Sequence, residues 1–215
     1  MRFMILAALA LTGAAVPAAK PSFTCKGQLT PSEQAICTDP ELAAWDRAMA
    51  KVYRLTDKSG ESPTQIQKNW LTERDTCGPD RACVLSAYRK WPGFDQSIVG
   101  VGTDLHREGT DPNDPADLEV MQIYGSWFYF SVEALHIRDA KIGAVNTGSF
   151  SGVLEMSNGE ATYDEDPGFQ YACRFRIARK SNRHWTIDQF DGHAICGGLN
   201  VYMAGDYRAP GRVRR

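Results

Sequence analysis

The sequence predicts an α+β protein: a disulfide-stapled module of four helices, followed by an antiparallel β-sheet or small barrel. Helix-capping signals occur in residues 20–92, whereas short alternating segments separated by turn residues fill residues 119–210. The chain also has six cysteines, an even number that indicates disulfides in an exported protein. Each of the two regions is small enough to gain stability from such cross-links.

Residues 1–19 have the composition of a secretory signal peptide. Arg2 is the only charged residue before Lys20, and the apolar run between them is too short to cross a membrane. Val16-Pro17-Ala18 presents small residues of the kind that a signal peptidase reads. We therefore expect cleavage near Ala18/Ala19 and a mature protein in the periplasm or outside the cell. No membrane span is expected, because no other segment is long and apolar enough. No lipid anchor is expected, because no cysteine lies at the cleavage point.

Two consecutive capping signals begin the helical region. Thr30-Pro31-Ser32-Glu33 is a capping box with proline at the first helical position, and it predicts a short helix to about Cys37. A second helix begins at either Thr38 or Asp39-Pro40. Its apolar residues recur at steps of three and four, which predicts one buried stripe: Leu42, Trp45, Met49 and Val52.

Glycine and proline divide the rest of the helical region. A third helix is predicted from about Thr64 to Cys77, where Gly78-Pro79 ends it. A fourth helix follows the cap residue Asp80 and ends at Pro92-Gly93. The region as a whole is therefore expected to form a small antiparallel bundle.

The cysteines fall into a helical group and a β group. Two of them flank the turn between the third and fourth helices, which favours a bridge there, although two other pairings of the first four cysteines stay open. The last two are the only cysteines of the β region and are expected to pair. The sequence has no Cys-x-x-Cys spacing, so the cysteines do not suggest a metal site. The favoured bridges are Cys25–Cys37, Cys77–Cys83 and Cys173–Cys196.

The segment 93–118 is predicted as a linker or irregular loop, because it is rich in glycine, proline and aspartate. Its apolar residues Ile98-Val99 and Val101 could still dock on a neighbouring surface. The region 119–210 alternates apolar and polar residues, most clearly in ACRFRIAR. Such alternation indicates strands with one buried and one solvent-exposed face, which is typical of an antiparallel sheet or small barrel. Residues 211–215 form a short basic tail.

The helical region contains four short patterns in a fixed order. They are an early cysteine, a Glu-x-Ala-Ile-Cys segment, an Asp-Pro-Glu-Leu helix start and a Trp-x-x-x-Arg-Asp-x-Cys segment. Over residues 22–54 and 69–91 this pattern resembles the N-terminal domain of the LprI-type lysozyme inhibitors. The resemblance implies an exported bacterial protein that binds and inhibits lysozyme. Some members are lipoproteins, and this chain lacks the lipidation cysteine. Besides cysteines, the matching residues are Asp39, Pro40, Leu42, Asp46, Trp70, Arg74 and Asp75.

Catalysis is not predicted, and neither a metal nor a cofactor is expected. A nucleophile paired with histidine would need a motif such as Gly-x-Ser-x-Gly, which the sequence lacks. The paired carboxylates Asp188 and Asp191 are more simply explained as solvated than as glycosidase acids. A cell-wall hydrolase is therefore the least favoured function. The histidines considered as bases are His106, His136, His184 and His193.

The acidic loop Asp164-Glu165-Asp166 is the candidate binding loop, because loops on a rigid sheet commonly carry recognition. Its charge would suit a strongly basic partner such as many lysozymes. A row of arginines could instead bind an anionic glycan or phosphate, although a solvated face balanced by nearby acids is favoured. The net charge of −2 gives no nucleic-acid footprint. The row comprises Arg174, Arg176, Arg179 and Arg183.

These observations predict a non-enzymatic, exported cell-envelope binding protein. The most specific version of this prediction is a lysozyme inhibitor that occludes the lysozyme cleft without a covalent step. The alternative is a periplasmic small-ligand or glycan-binding protein that uses the β domain. An elongated apolar pocket inside that domain would favour the alternative, and a filled core would not.

Overall fold

The computed structural model describes residues 20–56, 61–108, 111–166, 169, 172–190 and 196–210. Within them the chain forms α-helices followed by an antiparallel sheet, so the predicted α+β class is confirmed. The helices are α1 (Pro31–Thr38), α2 (Pro40–Leu55), α3 (Glu61–Asp75) and α4 (Arg81–Arg89). The strands are β1 (Thr103–Arg107), β2 (Ala116–Tyr124), β3 (Trp127–Asp139), β4 (Ala144–Glu155), β5 (Glu160–Asp164), β6 (Arg174–Ser181), β7 (His184–Gln189) and β8 (Gly205–Arg208). The predicted signal peptide, 1–19, and the basic tail, 211–215, lie outside the described residues.

Side-chain caps begin the first two helices. The Thr30 hydroxyl accepts the N–H of Glu33 at 3.2 Å, and the Glu33 carboxylate accepts the N–H of Thr30 at 2.8 Å, which completes the capping box. Of the two starts left open for α2, the structure shows Asp39, whose Oδ1 accepts the N–H groups of Glu41 and Leu42 at 2.8 and 3.0 Å. The apolar stripe predicted for α2 is buried: Leu42, Trp45, Met49 and Val52.

All six cysteines form disulfides, which confirms their predicted state, and the pairs are the favoured ones. A disulfide stabilises mainly by restricting the unfolded chain, and more so for longer loops. The bridge of the β region joins residues 23 positions apart. For that separation, loop-closure entropy gives a stabilisation of about 3 kcal/mol. The three bridges are Cys25–Cys37, Cys77–Cys83 and Cys173–Cys196.

The sheet is a nearly closed barrel. Its eight strands follow the order β4-β3-β2-β1-β8-β7-β6-β5, and every neighbouring pair is antiparallel. The edge strands β4 and β5 meet near the turn that connects them, where Ser157 pairs with Glu160. Asn158 and Gly159 hold this turn at φ values of 52° and 82°, a conformation that these two residue types adopt readily.

Side chains from every strand fill the barrel interior. Near its centre, the Trp185 ring lies 5.7 Å from Phe128 and 5.6 Å from Phe130 between ring centroids. The segment before β8 adds Cys196, Val201 and Met203 to this core. Its approach to β4 requires glycine at position 148, because a Cβ there would lie 2.6 Å from the carbonyl oxygen of Cys196. The interior is thus a packed core.

The segment 93–118, predicted as a linker or loop, is largely built into the fold. It continues the one-turn 3₁₀ helix Pro92–Asp95, contains all of β1 and begins β2. Ile98 and Val101 are 6% and 0% exposed, whereas Val99 is 75% exposed. Glycine and aspartate favour turns locally, but β1 forms because β2 and β8 pair with its two edges. Local composition does not reveal that tertiary pairing.

Strand β3 is buried on both of its faces. Phe128 and Phe130 point into the barrel, while Trp127 and Tyr129 contact the helical region. The Tyr129 hydroxyl donates to the carbonyl of Gln96 at 2.6 Å. The helices and the barrel therefore share a second hydrophobic core on the outer face of the sheet. Within the described part of the chain, no helix has the length and apolar character to cross a membrane.

Candidate binding surfaces

The motif residue Asp46 lies at the centre of a buried polar network. Its side chain is 2% exposed. Its carboxylate accepts the N–H of Ser22 at 2.5 Å and the hydroxyl of Tyr88 at 2.9 Å. Burial raises the pKa of the Tyr88 hydroxyl, and the negative charge of Asp46 raises it further, so this hydroxyl stays a hydrogen-bond donor. Asp46 thereby ties the N-terminal segment to α2 and α4.

Three further motif residues pack beside this network. The Trp70 ring lies 5.2 Å from the Tyr88 ring, and its Nε1–H donates to the carbonyl of Ala87 at 3.0 Å. The Arg74 guanidinium lies 5.6 Å from the Trp70 ring and forms an ion pair with Asp75 at 2.6 Å. The Trp70 contacts join α3 to α4, and the Arg74 contacts with Trp70 and Asp75 lie within α3.

The remaining motif residues belong to the start of α2. Asp39 is the cap residue, Pro40 occupies the first helical position, and Leu42 is fully buried. The Arg81 side chain bonds to the Asp39 carboxylate at 2.6 Å and to the Glu41 carboxylate at 2.6 Å. These bonds connect the start of α2 to the start of α4.

The predicted acidic loop is tied to the start of β6. Asp164 forms an ion pair with Arg174 at 2.7 Å, and the Glu165 carboxylate accepts the N–H of Cys173 at 3.1 Å. Arg174 also donates to the main-chain carbonyl of Asp166 at 2.7 Å. The loop therefore presents less uncompensated negative charge than its sequence suggests.

Each arginine of the predicted row has a partner within the chain. Arg176 pairs with Asp188 at 2.9 Å and approaches Glu160 at 3.8 Å, and Arg174 pairs with Asp164 as described above. The other two donate to the Asn182 side chain and the Pro210 carbonyl, respectively: Arg179 and Arg183. Neighbouring carboxylates therefore balance the charges of Arg174 and Arg176, whereas Arg179 and Arg183 are held by neutral groups.

Each described histidine bonds to an aspartate. The shortest N–O distances are 2.5 Å for His106–Asp117, 2.5 Å for His136–Asp114 and 2.7 Å for His184–Asp206. His193 and Asp191 lie outside the described residues. Across the described ranges, no three His, Cys, Asp or Glu side chains are grouped as metal ligands would be.

A second acidic surface, absent from the sequence-based expectations, lies on the outer face of β1, β2 and β3. We call it the carboxylate band, and it comprises Asp104, Asp117 and Glu133. Asp117 is paired in register with both His106 and Glu133. The side chains of Asp104 and Asp117 are 51% and 62% exposed. Like charges directly opposite each other destabilise a sheet, so the pairing of Asp117 with Glu133 does not itself contribute to stability.

A loop with an exposed apolar tip lies beside the carboxylate band. The Glu119 carboxylate accepts the N–H of Gly100 at 2.7 Å and the N–H of Gly102 at 3.0 Å. Glu119 is itself paired in register with Asp104 of the band. Between the buried residues Ile98 and Val101, these bonds hold Val99 out from the surface. We call residues 98–102 the clamped loop.

His106 lies within the carboxylate band and makes its charge depend on pH. The hydrogen bond to Asp117 and the negative charges of Asp104, Asp117 and Glu119 raise the pKa of His106 above its ordinary value. Arg208 on β8 faces it from the other side. Because the pKa of His106 is higher in the folded than in the unfolded chain, protonated His106 stabilises the fold. This stabilisation is complete below the pKa of His106 in the unfolded chain and is lost as pH rises through its pKa in the folded chain. The band becomes more negative over the same rise.

Asp117→Asn is expected to lower the pKa of His106 towards its ordinary value, because the substitution removes a hydrogen-bonded negative charge. Titration of the His106 ring protons by NMR measures this shift. Asp188→Asn is the matched control, since it removes one carboxylate next to Arg176 and away from His106. An unchanged His106 midpoint in Asp117→Asn would contradict the assignment.

The alternation in β2 places Asp117 on the face opposite to the buried Leu118, but it does not contain the register that sets Asp117 beside His106 and Glu133. A comparison with protein-family models gives no match for this chain, and a comparison with curated proteins gives none either. The likeness to the LprI-type domain therefore rests on the motif residues themselves.

Proposed function

We propose that this chain is an exported bacterial cell-envelope binding protein that inhibits lysozyme by non-covalent occlusion of the lysozyme cleft. The carboxylate band and the clamped loop form the proposed contact surface. The observation that carries the proposal is their juxtaposition, because Asp104 of the band is paired with the Glu119 that holds the loop. The motif resemblance of the helical region supports lysozyme as the partner. The three disulfides support an oxidising compartment.

The two parts of this surface would contribute differently to binding. Exposed carboxylates on adjacent strands create a negative potential that steers a basic protein towards the sheet. Val99 supplies an exposed apolar side chain whose removal from water on contact with the partner would favour binding. Strands and a clamped loop lose little conformational freedom on binding, so more of the interaction energy remains as affinity.

The alternative function, binding of a small ligand by the β domain, gains no support from the barrel interior. Phe128, Phe130, Phe175 and Trp185 occupy the space that a ligand would need. The arginine row is likewise engaged with partners of its own chain. The proposal therefore rests on the outer surface of the sheet.

Inhibition of lysozyme by the purified full chain is the expected result of a bacterial lysis assay. The triple variant Asp104→Asn/Asp117→Asn/Glu133→Gln should weaken inhibition by about tenfold at low salt, because several exposed charge pairs would be lost together. Added salt should reduce the difference between the variant and the unchanged chain.

The matched control removes the same charge from the acidic loop, as Asp164→Asn/Glu165→Gln/Asp166→Asn. Unchanged inhibition in this control, with weakened inhibition in the band variant, supports the proposed surface. The reverse pattern would move the contact to the loop. Absence of inhibition of c-type, g-type and i-type lysozymes alike would overturn the proposed function.

A further inference from the structure

A groove of about 460 Å³ runs between α2 and the end of β2. One wall carries Arg47, Lys51 and Arg54 of α2, while Ser22 and Gln122 line other parts of it. The rest of the lining is apolar: Ala44, Ala48, Met121 and Ile123. The groove thus combines a cationic wall, polar groups and an apolar floor.

The three cations lie on one side of α2, because they are separated by four and three positions. At a rise of 1.5 Å per residue, they span about 10 Å along the helix axis. All three side chains are exposed. Arg54 lies in the last turn of α2, where the helix dipole favours a cation, but the like charges of Arg47 and Lys51, four positions apart, destabilise the helix.

No carboxylate of the described residues forms an ion pair with Arg47, Lys51 or Arg54. Arg47 is instead oriented by main-chain carbonyls, donating to Lys20 at 2.6 Å and to Ala43 at 3.1 Å. These bonds hold its guanidinium at the groove without neutralising its charge. On a chain whose net charge is −2, the groove is a local concentration of positive charge.

We infer that this groove binds a linear anionic oligosaccharide whose sugars carry carboxylate groups. Guanidinium groups bind carboxylates through two parallel hydrogen bonds, and a row of cations matches charges repeated along a chain. The apolar floor suits the face of a sugar ring, and Ser22 and Gln122 can bond to its hydroxyl groups. The groove volume lies within the range of small-molecule sites.

This site is separate from the surface proposed to contact lysozyme. Gln122 of the groove and Asp117 of the carboxylate band are on the same strand, five residues and therefore about 17 Å apart. The two surfaces have opposite charge. A glycan in the groove is consequently an additional ligand and leaves the carboxylate band accessible.

Calorimetric titration of the full chain with hexagalacturonic acid tests the inference. We expect binding at low salt that weakens as salt is added. Neutral cellohexaose and inorganic phosphate should bind at least about tenfold more weakly, because each lacks either the charges or the chain. Binding of a glutamate hexapeptide as tight as that of the hexagalacturonate would overturn the assignment to a glycan.

Arg47→Gln/Lys51→Gln/Arg54→Gln should weaken hexagalacturonate binding by about tenfold or more, because charge-assisted hydrogen bonds are lost. Lys51→Gln/Arg54→Gln keeps the Arg47 bond to the N-terminal segment and should show most of this loss. The control Arg176→Gln/Arg179→Gln/Arg183→Gln, which removes equal charge from β6 and the turn that follows it, should bind like the unchanged chain.

Equal affinity of the groove variants and the unchanged chain would overturn the inference, as would absence of binding by the unchanged chain. Lysozyme inhibition is measured on the same variants and should not change. Failure of the glycan site is therefore distinguishable from failure of the proposed lysozyme contact. Thermal unfolding of each variant checks that its fold is intact.

Discussion

Trp45→Ala is expected to lower the free energy of unfolding by about 3–5 kcal/mol, the usual cost of deleting a buried aromatic side chain. Trp45 is 0% exposed, and its ring lies 5.7 Å from Trp127 of β3 and 6.1 Å from Phe94. The cavity would open where α2 meets the sheet. Urea unfolding, followed by circular dichroism and by tryptophan fluorescence, measures the loss.

Both signals should shift together in Trp45→Ala, because the helices and the barrel share the core that the substitution damages. Leu55→Ala is the matched control, since Leu55 lies on the same helix and is 46% exposed. It should change the free energy of unfolding by only about 0.5 kcal/mol. Transitions of the two signals that do not coincide would contradict the shared core.

Asp46→Ala is expected to cost about 3 kcal/mol, because it leaves two donors, the Ser22 N–H and the Tyr88 hydroxyl, without their acceptor. A double-mutant cycle with Tyr88→Phe isolates the bond between the two side chains. Its coupling energy should be about 1.5–3 kcal/mol, the range of hydrogen bonds to charged groups. Denaturant unfolding of the four proteins supplies the cycle.

Glu73→Ala on the exposed face of α3 serves as the control for Asp46→Ala and should be near neutral. Strict additivity of Asp46→Ala and Tyr88→Phe would contradict the hydrogen bond. Additivity would mean that Asp46 and Tyr88 have no measurable coupling energy.

The helices were predictable because their signals are local. The capping box at Thr30 and the stripe from Leu42 to Val52 involve residues within one or a few turns of each other. The choice between Thr38 and Asp39 as the cap of α2 depends on which side chain accepts the first N–H groups. That geometry is a property of the folded chain.

Strand β1 was not predictable in the same way. It has five residues and follows a glycine-rich segment, and it exists because β2 and β8 lie on both sides of it. The burial of Trp127 and Tyr129 beneath the helices likewise depends on how α2 packs on the sheet. Periodicity within one strand identifies its faces, but not what covers each face.

The acidic loop could be predicted from the sequence and the carboxylate band could not, for a related reason. The acidic loop was found because Asp164, Glu165 and Asp166 are adjacent in sequence. The carboxylate band was missed because its members come from three strands and meet only through strand register. In a sheet, a row of side chains on one face is a property of pairing, and short-range sequence patterns do not contain it.

The double burial of β3 bears on how the chain reaches its folded state. Every residue of the run 128–132 is buried, and such a run readily associates with other chains while it is uncovered. The helices that cover one face precede β3 in the chain, so they are available first when folding proceeds from the N-terminus. We therefore expect the helical region to shield this run from association with other chains while the protein folds.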